Sequence, residues 1–349
     1  MENLQSASTN APTDSPTAML FSLPPELLLS IFEFVGVLNF RRDVRRLAVS
    51  KKWYPYAIST LFSSLCGNRK YMLPIFGALN KSATLAAAQQ LTKHIDLPLD
   101  VEKFDPHGPK HWKTRYDVDT LERLALVLED FTALRTLIVR GGGGCYDQIP
   151  SHIIPGIISL GQLTSLNLDI LHVEFKGTKH HLCQSISQQI PNLKSLRCRL
   201  PHICEKLLDS PPGNIKELII SICSDGGTNL AGCCPGQVPV PRDELKARLK
   251  TQLLRFAASM CDPKIVRLIY QARWKHRPQW EAFDAVENRR VLIDLRADWD
   301  DGGVPITEEM ELRWDSADEI SSDDEYDLYA LWYLGYLRSN DYYELSYDY

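Results

Sequence analysis

The nine cysteines of this 349-residue chain include no CxxC pair, and no apolar run reaches the ~20 residues of a membrane span. Nor does a basic start lead into an apolar block: residues 1–18, MENLQSASTNAPTDSPTA, are polar. These absences predict a soluble intracellular protein, cytoplasmic or nuclear, with reduced thiols and no membrane partner.

Patterns that carry catalysis or cofactors are missing too. Gly141–Gly144 has neither the GK[ST] ending of a phosphate loop nor dinucleotide-loop spacing, and reads as a turn leaving a strand at Thr136–Arg140. Cys233 and Cys234 with Cys223 do not make a zinc spacing, and no histidine is near them in sequence. His180 and His181 are adjacent, so on a helix they face different ways, and no nearby acid completes a site. Asp298, Asp300 and Glu309 take positions 1, 3 and 12 of an EF-hand frame, but a glycine at position 5 and Pro305 at position 8 break it. The run Val291–Leu295 ahead of that frame reads as a strand, where an EF-hand needs a helix. No Ser–His–Asp, Cys–His or paired-carboxylate pattern is legible. The expectation is a non-enzyme with no cofactor and no metal.

What is present is a chain long enough for two or three domains, with an ordinary 44% hydrophobic and 24% charged content. Its net charge of −5 hides an asymmetry. From Ala297 onward there are 16 acidic and 2 basic residues, against 28 and 37 before it. Acidic tails more often stay solvated or cover a basic face of their own protein than accompany nucleic-acid binding, so a nucleic-acid partner is not expected.

The apolar residues are unevenly placed. In LPPELLLSIFEFV, residues 23–35, ten of thirteen are apolar or proline. Pro24 and Pro25 suit a first helical turn, Ser22 can cap it, and Glu26 favours the helix dipole. Seven of the ten residues from Glu26 to Val35 are apolar, too many for one buried stripe. Asn39 can cap a second helix carrying Val44, Leu47 and Ala48, and a third is predicted from near Trp53, with Ala57 and Leu61 on one side. Three short helices cannot cover a first helix that is apolar all round, so a second surface must bury the remainder.

Leu23-Pro24-Pro25-Glu26-Leu27, then Ile31-Phe32, then Leu47-Ala48-Val49-Ser50-Lys51-Lys52-Trp53 resembles an F-box, with Ser50 where that family often has cysteine. The resemblance implies docking of residues 19–65 onto the Skp adaptor of a cullin-based ubiquitin ligase. It also implies that Leu23, Pro24, Leu27, Ile31, Phe32 and Trp53 form the adaptor contact or the small core beneath it.

Downstream, four segments share the frame LxxLxL, starting at Leu134, Leu163, Leu193 and Ile215, at separations of 29, 30 and 22 residues. Each alternates like a short strand with one face buried, and Ile95, Leu97 and Leu99 fit an earlier, degenerate copy. Helix-like stretches lie between them: LERLALVLEDF, SHIIPGIISL and LCQSISQQI. A strand plus helix every 20–30 residues is the signature of a leucine-rich repeat, predicted here over 66–262 as an irregular solenoid. The asparagine or cysteine of that repeat would fall at Gly142, Leu171, Pro201 and Cys223, so only the last fits. A plain α/β domain is the alternative.

In this frame the leucines point inward and three rows line the other face. These rows are Thr136, Ser165, Ser195, Glu217; Ile138, Asn167, Arg197, Ile219; and Arg140, Asp169, Arg199, Ser221. Arg140, Asn167, Arg197 and Arg199 are the candidate substrate-binding residues, suited to a protein segment carrying carboxylates or phosphates. A merely solvated strand face is the competing explanation.

Arg242–Met260 is helical in period, and Ala282–Val286 with Arg289–Leu295 reads as a hairpin that closes the repeats within 263–310. Residues 311–349 form an acidic, tyrosine-rich tail, with Ser321 and Ser322 in an acidic context and Tyr326–Leu337 too aromatic to stay uncovered. The tail has the sign to compete for the arginine face. This order of elements resembles fungal F-box proteins. The expected architecture is α/β: a polar N-terminus at 1–18, a three-helix F-box, the solenoid, the capping hairpin and the tail. The expected function is a substrate-recognition adaptor of a Skp–cullin–F-box ubiquitin ligase, partnered by the Skp adaptor, the cullin and a protein substrate. An F-box scaffold without ligase activity and a repeat-based binding protein with no ligase link are the alternatives.

Overall fold

The structure, a computed structural model, describes residues 23–36, 39–40, 43, 45–46, 50–66, 83–99, 118–141, 148–150, 152–171, 174–176, 181–200, 202–222, 240–274, 277–293 and 302–307. The polar N-terminus, Ser22, the tail 311–349, Cys223, Cys233, Cys234, His180, Asp298, Asp300 and Glu309 lie outside them. The chain divides into two compact units, 1–64 and 65–349. No helix of the described residues is long and apolar enough to cross a membrane.

In the first unit, helix α1 (Pro25–Val35) starts behind Pro24 at the N-cap and stops at Gly36. Gly36 takes φ +80°, open to glycine, and its N–H donates to the Phe32 carbonyl at 3.0 Å. Asn39 is itself helical, and its side-chain amide donates to the Val35 carbonyl. Its side chain therefore holds the end of α1. Val44, Leu47 and Ala48 lie outside the described residues. Helix α2 (Tyr54–Ser63) follows Trp53, whose backbone N–H donates to Ser50 Oγ at 3.0 Å.

The second unit is mixed α/β. Strands β1 (Ser64–Cys66), β2 (His94–Pro98), β3 (Thr136–Arg140), β5 (Ser165–Asp169), β7 (Ser195–Leu200), β8 (Glu217–Ile222), β9 (Ile265–Trp274), β10 (Arg277–Asp284), β11 (Arg289–Ile293) and β12 (Val304–Pro305) form one ten-stranded sheet in that order. From β2 to β9 the recorded pairings are all parallel, and from β9 to β12 antiparallel. Two short strands between them, β4 (Gln148–Pro150) and β6 (Glu174–Lys176), pair separately.

Parallel pairing requires crossover connections, and these carry α-helices or, before β8, a 3-10 turn. Helix α3 (Ala83–Leu91) precedes β2, and α4 (Val118–Glu129), α5 (Ile153–Ile158) and α6 (Leu182–Gln189) precede β3, β5 and β7. A 3-10 turn, Glu205–Leu208, precedes β8, and α7 (Arg242–Ser259) precedes β9. Each packs on the next from α4 to α7, through the 3-10 turn. Under this layer the strand leucines stack in register. Ile95, Leu137, Leu166, Leu196, Leu218 and Val266 make one row; Leu97, Val139, Leu168, Cys198, Ile220 and Leu268 make the next. All are buried, most of them with no exposed area. The α7 side of the layer contributes Leu245, Leu249, Leu253 and Phe256, spaced three and four apart.

The strand and helix positions expected from the repeat frame are therefore observed, including the early strand at Ile95–Leu97. The hairpin is observed as β10–β11, turning through 285–288 with Asn288 at φ +49°. Strand β9 was not anticipated. It joins the parallel set to the hairpin, so strands β9 to β12 continue the same sheet.

Candidate functional sites

Among the described residues, two surfaces and one largely buried cluster stand out for chemistry beyond packing. The first surface is on α1. Leu28 and Phe32 face inward, and Phe32 is the centre of an aromatic core. Its ring lies 4.3 Å from Trp53, 5.8 Å from Phe40 and 5.9 Å from Tyr56, with Ala57 beneath. Trp53 is fixed further by its indole N–H, which donates to the Arg46 carbonyl. Phe32 and Trp53 thus build the small core of this unit.

One residue round the helix the picture reverses. Leu27 is 52% exposed, Ile31 37% and Phe34 92%. These positions are four and then three apart, so they form one stripe, and exposed Pro24 and half-buried Leu23 extend it past the helix start. An eleven-residue helix presenting three large apolar side chains to water is the surplus that the composition of residues 26–35 implied. Phe34 was not among the expected contact residues. The count of apolar positions contained it, but the motif does not mark it.

The second surface is the sheet face opposite the helices. Register places Thr136, Ser165, Ser195 and Glu217 in one row, Ile138, Asn167, Arg197 and Ile219 in the next, and Arg140, Asp169, Arg199 and Ser221 in the third. The candidate residues do share a face, and for Arg140 and Arg199 the partners are acids on neighbouring strands. Arg199 grips both carboxylate oxygens of Asp169 with one guanidinium edge, Nε to Oδ1 at 2.7 Å and Nη2 to Oδ2. Arg140 Nη2 lies 3.1 Å from Asp96 Oδ2. Asp96, Arg140, Asp169 and Arg199 thus alternate in sign across four strands. The Asn167 carbonyl oxygen, between Ile138 and Arg197, is buried and has no hydrogen-bond partner.

Towards the hairpin this face turns apolar: Ile219, Ile269, Ala282, Val291 and Ile293 pack together with Ile265 and Trp280. Arg267 and Asp284, both buried, bond there at 3.1 Å, and Asp284 also accepts from the amides of Val286 and Glu287. On the helix side, buried Glu281 accepts from Tyr270 and Arg290. Burial, then Lys246 and Arg290 nearby, pull the Lys250 ammonium down to about 8, while burial beside Glu281 pushes the Tyr270 phenol well up.

The buried cluster was missed in the sequence. His181, Cys183 and Cys204 bring their ligand atoms within 4.8 Å of one another. One thiol lies two residues on from His181, and the other reaches it from the far side of β7, a proximity that sequence spacing does not display.

No protein-family model matches this chain, and no curated protein matches it.

Proposed function

We propose that the chain is a substrate-recognition adaptor of a Skp–cullin–F-box ubiquitin ligase, with residues 19–65 as the F-box and the sheet unit as an irregular leucine-rich-repeat solenoid that holds a protein substrate. The observation that carries this is the exposed stripe Leu27, Ile31, Phe34 on a helix whose opposite side closes an aromatic core. Each leucine-sized side chain buried by a partner contributes roughly 1.5–3 kcal/mol before association costs, so three of them can anchor a stable complex. Leu23, Pro24, Leu27 and Ile31 make the adaptor contact, joined by Phe34, while Phe32 and Trp53 support it from below.

The substrate role falls to the sheet face carrying Arg140, Asn167, Arg197 and Arg199. Arg140 and Arg199 already face Asp96 and Asp169, so a substrate carboxylate or phosphate would share their guanidinium donors with those acids or displace them, and a group of two or more negative charges competes best. Ubiquitin transfer itself lies in other subunits. Purifying the tagged chain from cells with the proteasome blocked tests the proposal: the Skp adaptor, the cullin and accumulated substrates should co-purify. An F-box scaffold would retain the adaptor without accumulated substrates, and a chain that retains neither adaptor nor cullin refutes the proposal.

A further inference from the structure

We propose that His181, Cys183 and Cys204 form a site for a borderline-soft divalent transition ion of the zinc class, a cross-brace between two successive strand crossovers. His181 is the N-cap of α6, and Cys183 lies in the first turn of that helix, in the crossover between β5 and β7. Cys204 precedes the 3-10 turn in the next crossover, between β7 and β8. Both cysteines are buried and His181 is half-buried.

His181 Nε2 lies 3.4 Å from Cys204 Sγ. In a tetrahedral centre with Zn–N of ~2.0–2.1 Å and Zn–S of ~2.3 Å, the N···S edge is ~3.5 Å and the S···S edge ~3.8 Å. One edge is therefore in place, and closing the others from at most 4.8 Å takes a movement of about 1 Å. One nitrogen with two sulfurs selects zinc-like ions over calcium or magnesium, which take oxygen ligands. Two thiolates around a divalent ion are neutral in sum, so the cluster can stay buried. Water at the half-exposed histidine side completes four-coordination.

Binding rearranges three hydrogen bonds, the first being the Cys204 Sγ–His181 Nε2 contact, whose two atoms both turn to the ion. Cys183 Sγ now donates to the His202 carbonyl at 3.7 Å and would exchange that weak contact for the ion. His181 Nδ1 now accepts from the Gln184 amide at 3.4 Å, and metal at Nε2 puts the ring proton on Nδ1. The Gln184 amide is not orphaned, because it also donates to the His181 carbonyl at 3.0 Å.

The test is a cobalt titration of the reduced, metal-stripped full-length chain, followed by zinc. About one equivalent should bind, with the thiolate-to-cobalt charge-transfer band and strong visible bands of a tetrahedral centre, and zinc should abolish them. His181→Asn keeps a helix-capping side chain but removes the ligand, and Cys204→Ser removes a thiolate. Each should weaken binding at least ~100-fold, since even outer-shell changes at such sites reach that size. Cys261→Ser, at an exposed cysteine, should change nothing. Zinc should raise the melting temperature of the wild type and not of His181→Asn. If Cys204→Ser does not fold, the wild type and His181→Asn decide. Folded wild type without cobalt bands, or bands unchanged in His181→Asn, overturns the proposal. So does a reduced chain that takes up no ion but forms a Cys183–Cys204 disulfide on mild oxidation.

Discussion

Replacing Leu166 with alanine should destabilise the sheet unit, while replacing Ser165, the preceding residue on the same strand, should not. Leu166 has no exposed area and sits in the row between Leu137 and Leu196, beneath the helix layer. Truncating it removes three methyl or methylene groups' worth of burial and leaves a cavity walled by strands on both sides, which cannot collapse into it. Such changes cost about 2–5 kcal/mol. At roughly 2–4 °C per kcal/mol for a unit of this size, the melting temperature should fall by about 4–20 °C. Ser165 is half-buried on the opposite face, between Thr136 and Ser195, and its truncation should stay within about 0.5 kcal/mol. Calorimetric melts of the two variants decide the matter. Equal losses, or a silent Leu166→Ala, would mean that the strand faces are assigned the wrong way round.

Four further outcomes are expected. Arg267→Met leaves Asp284 buried without its cation and should cost about 3–5 kcal/mol, part of which returns in Arg267→Met/Asp284→Asn, as a double-mutant cycle by urea unfolding would read. Gly213 has φ +55°, and an added Cβ would meet Pro191 backbone atoms at 2.5 Å, so Gly213→Ala should cost at least about 1–3 kcal/mol in the same assay. Lys250, lowered to about 8 from 10.5, binds its proton less readily folded than unfolded, so its contribution to stability rises as pH climbs from 8 towards 10.5 and is flat below 8. Lys250→Met should therefore melt higher than wild type at pH 7, and the gap should narrow by pH 10. Replacing Arg197 with alanine should reduce co-purified substrate while leaving adaptor and cullin recruitment intact.

Much of this arrangement was legible in the residues because period-2 alternation is a local property. Leu137, Leu166, Leu196 and Leu218 announce their strands, and once parallel pairing in register is granted, the rows on both faces follow. Strand β9 carried the same alternation in Val266, Leu268 and Tyr270, but the LxxLxL frame does not extend to it. The surplus apolar surface of α1 was countable, whereas which residues stay exposed depends on where Phe40 and Trp53 pack against Phe32. Pairings across strands were not legible either. Arg199 with Asp169 and Arg140 with Asp96 depend on register and on side chains chosen from many carboxylates. His181 and Cys204, 23 residues apart, meet only because two crossovers stack side by side.

The claim that the first unit is an adaptor-docking module stands most directly on one titration. Purified Skp adaptor should bind the chain with a measurable heat, and Ile31→Asp/Phe34→Asp should abolish it at concentrations tenfold or more above the wild-type Kd. Both side chains are exposed, so the variant should melt with the wild type and its loss of binding cannot be assigned to unfolding. Absent binding by the folded wild type, or unchanged affinity in the double variant, would contradict the assignment of this helix as the docking surface.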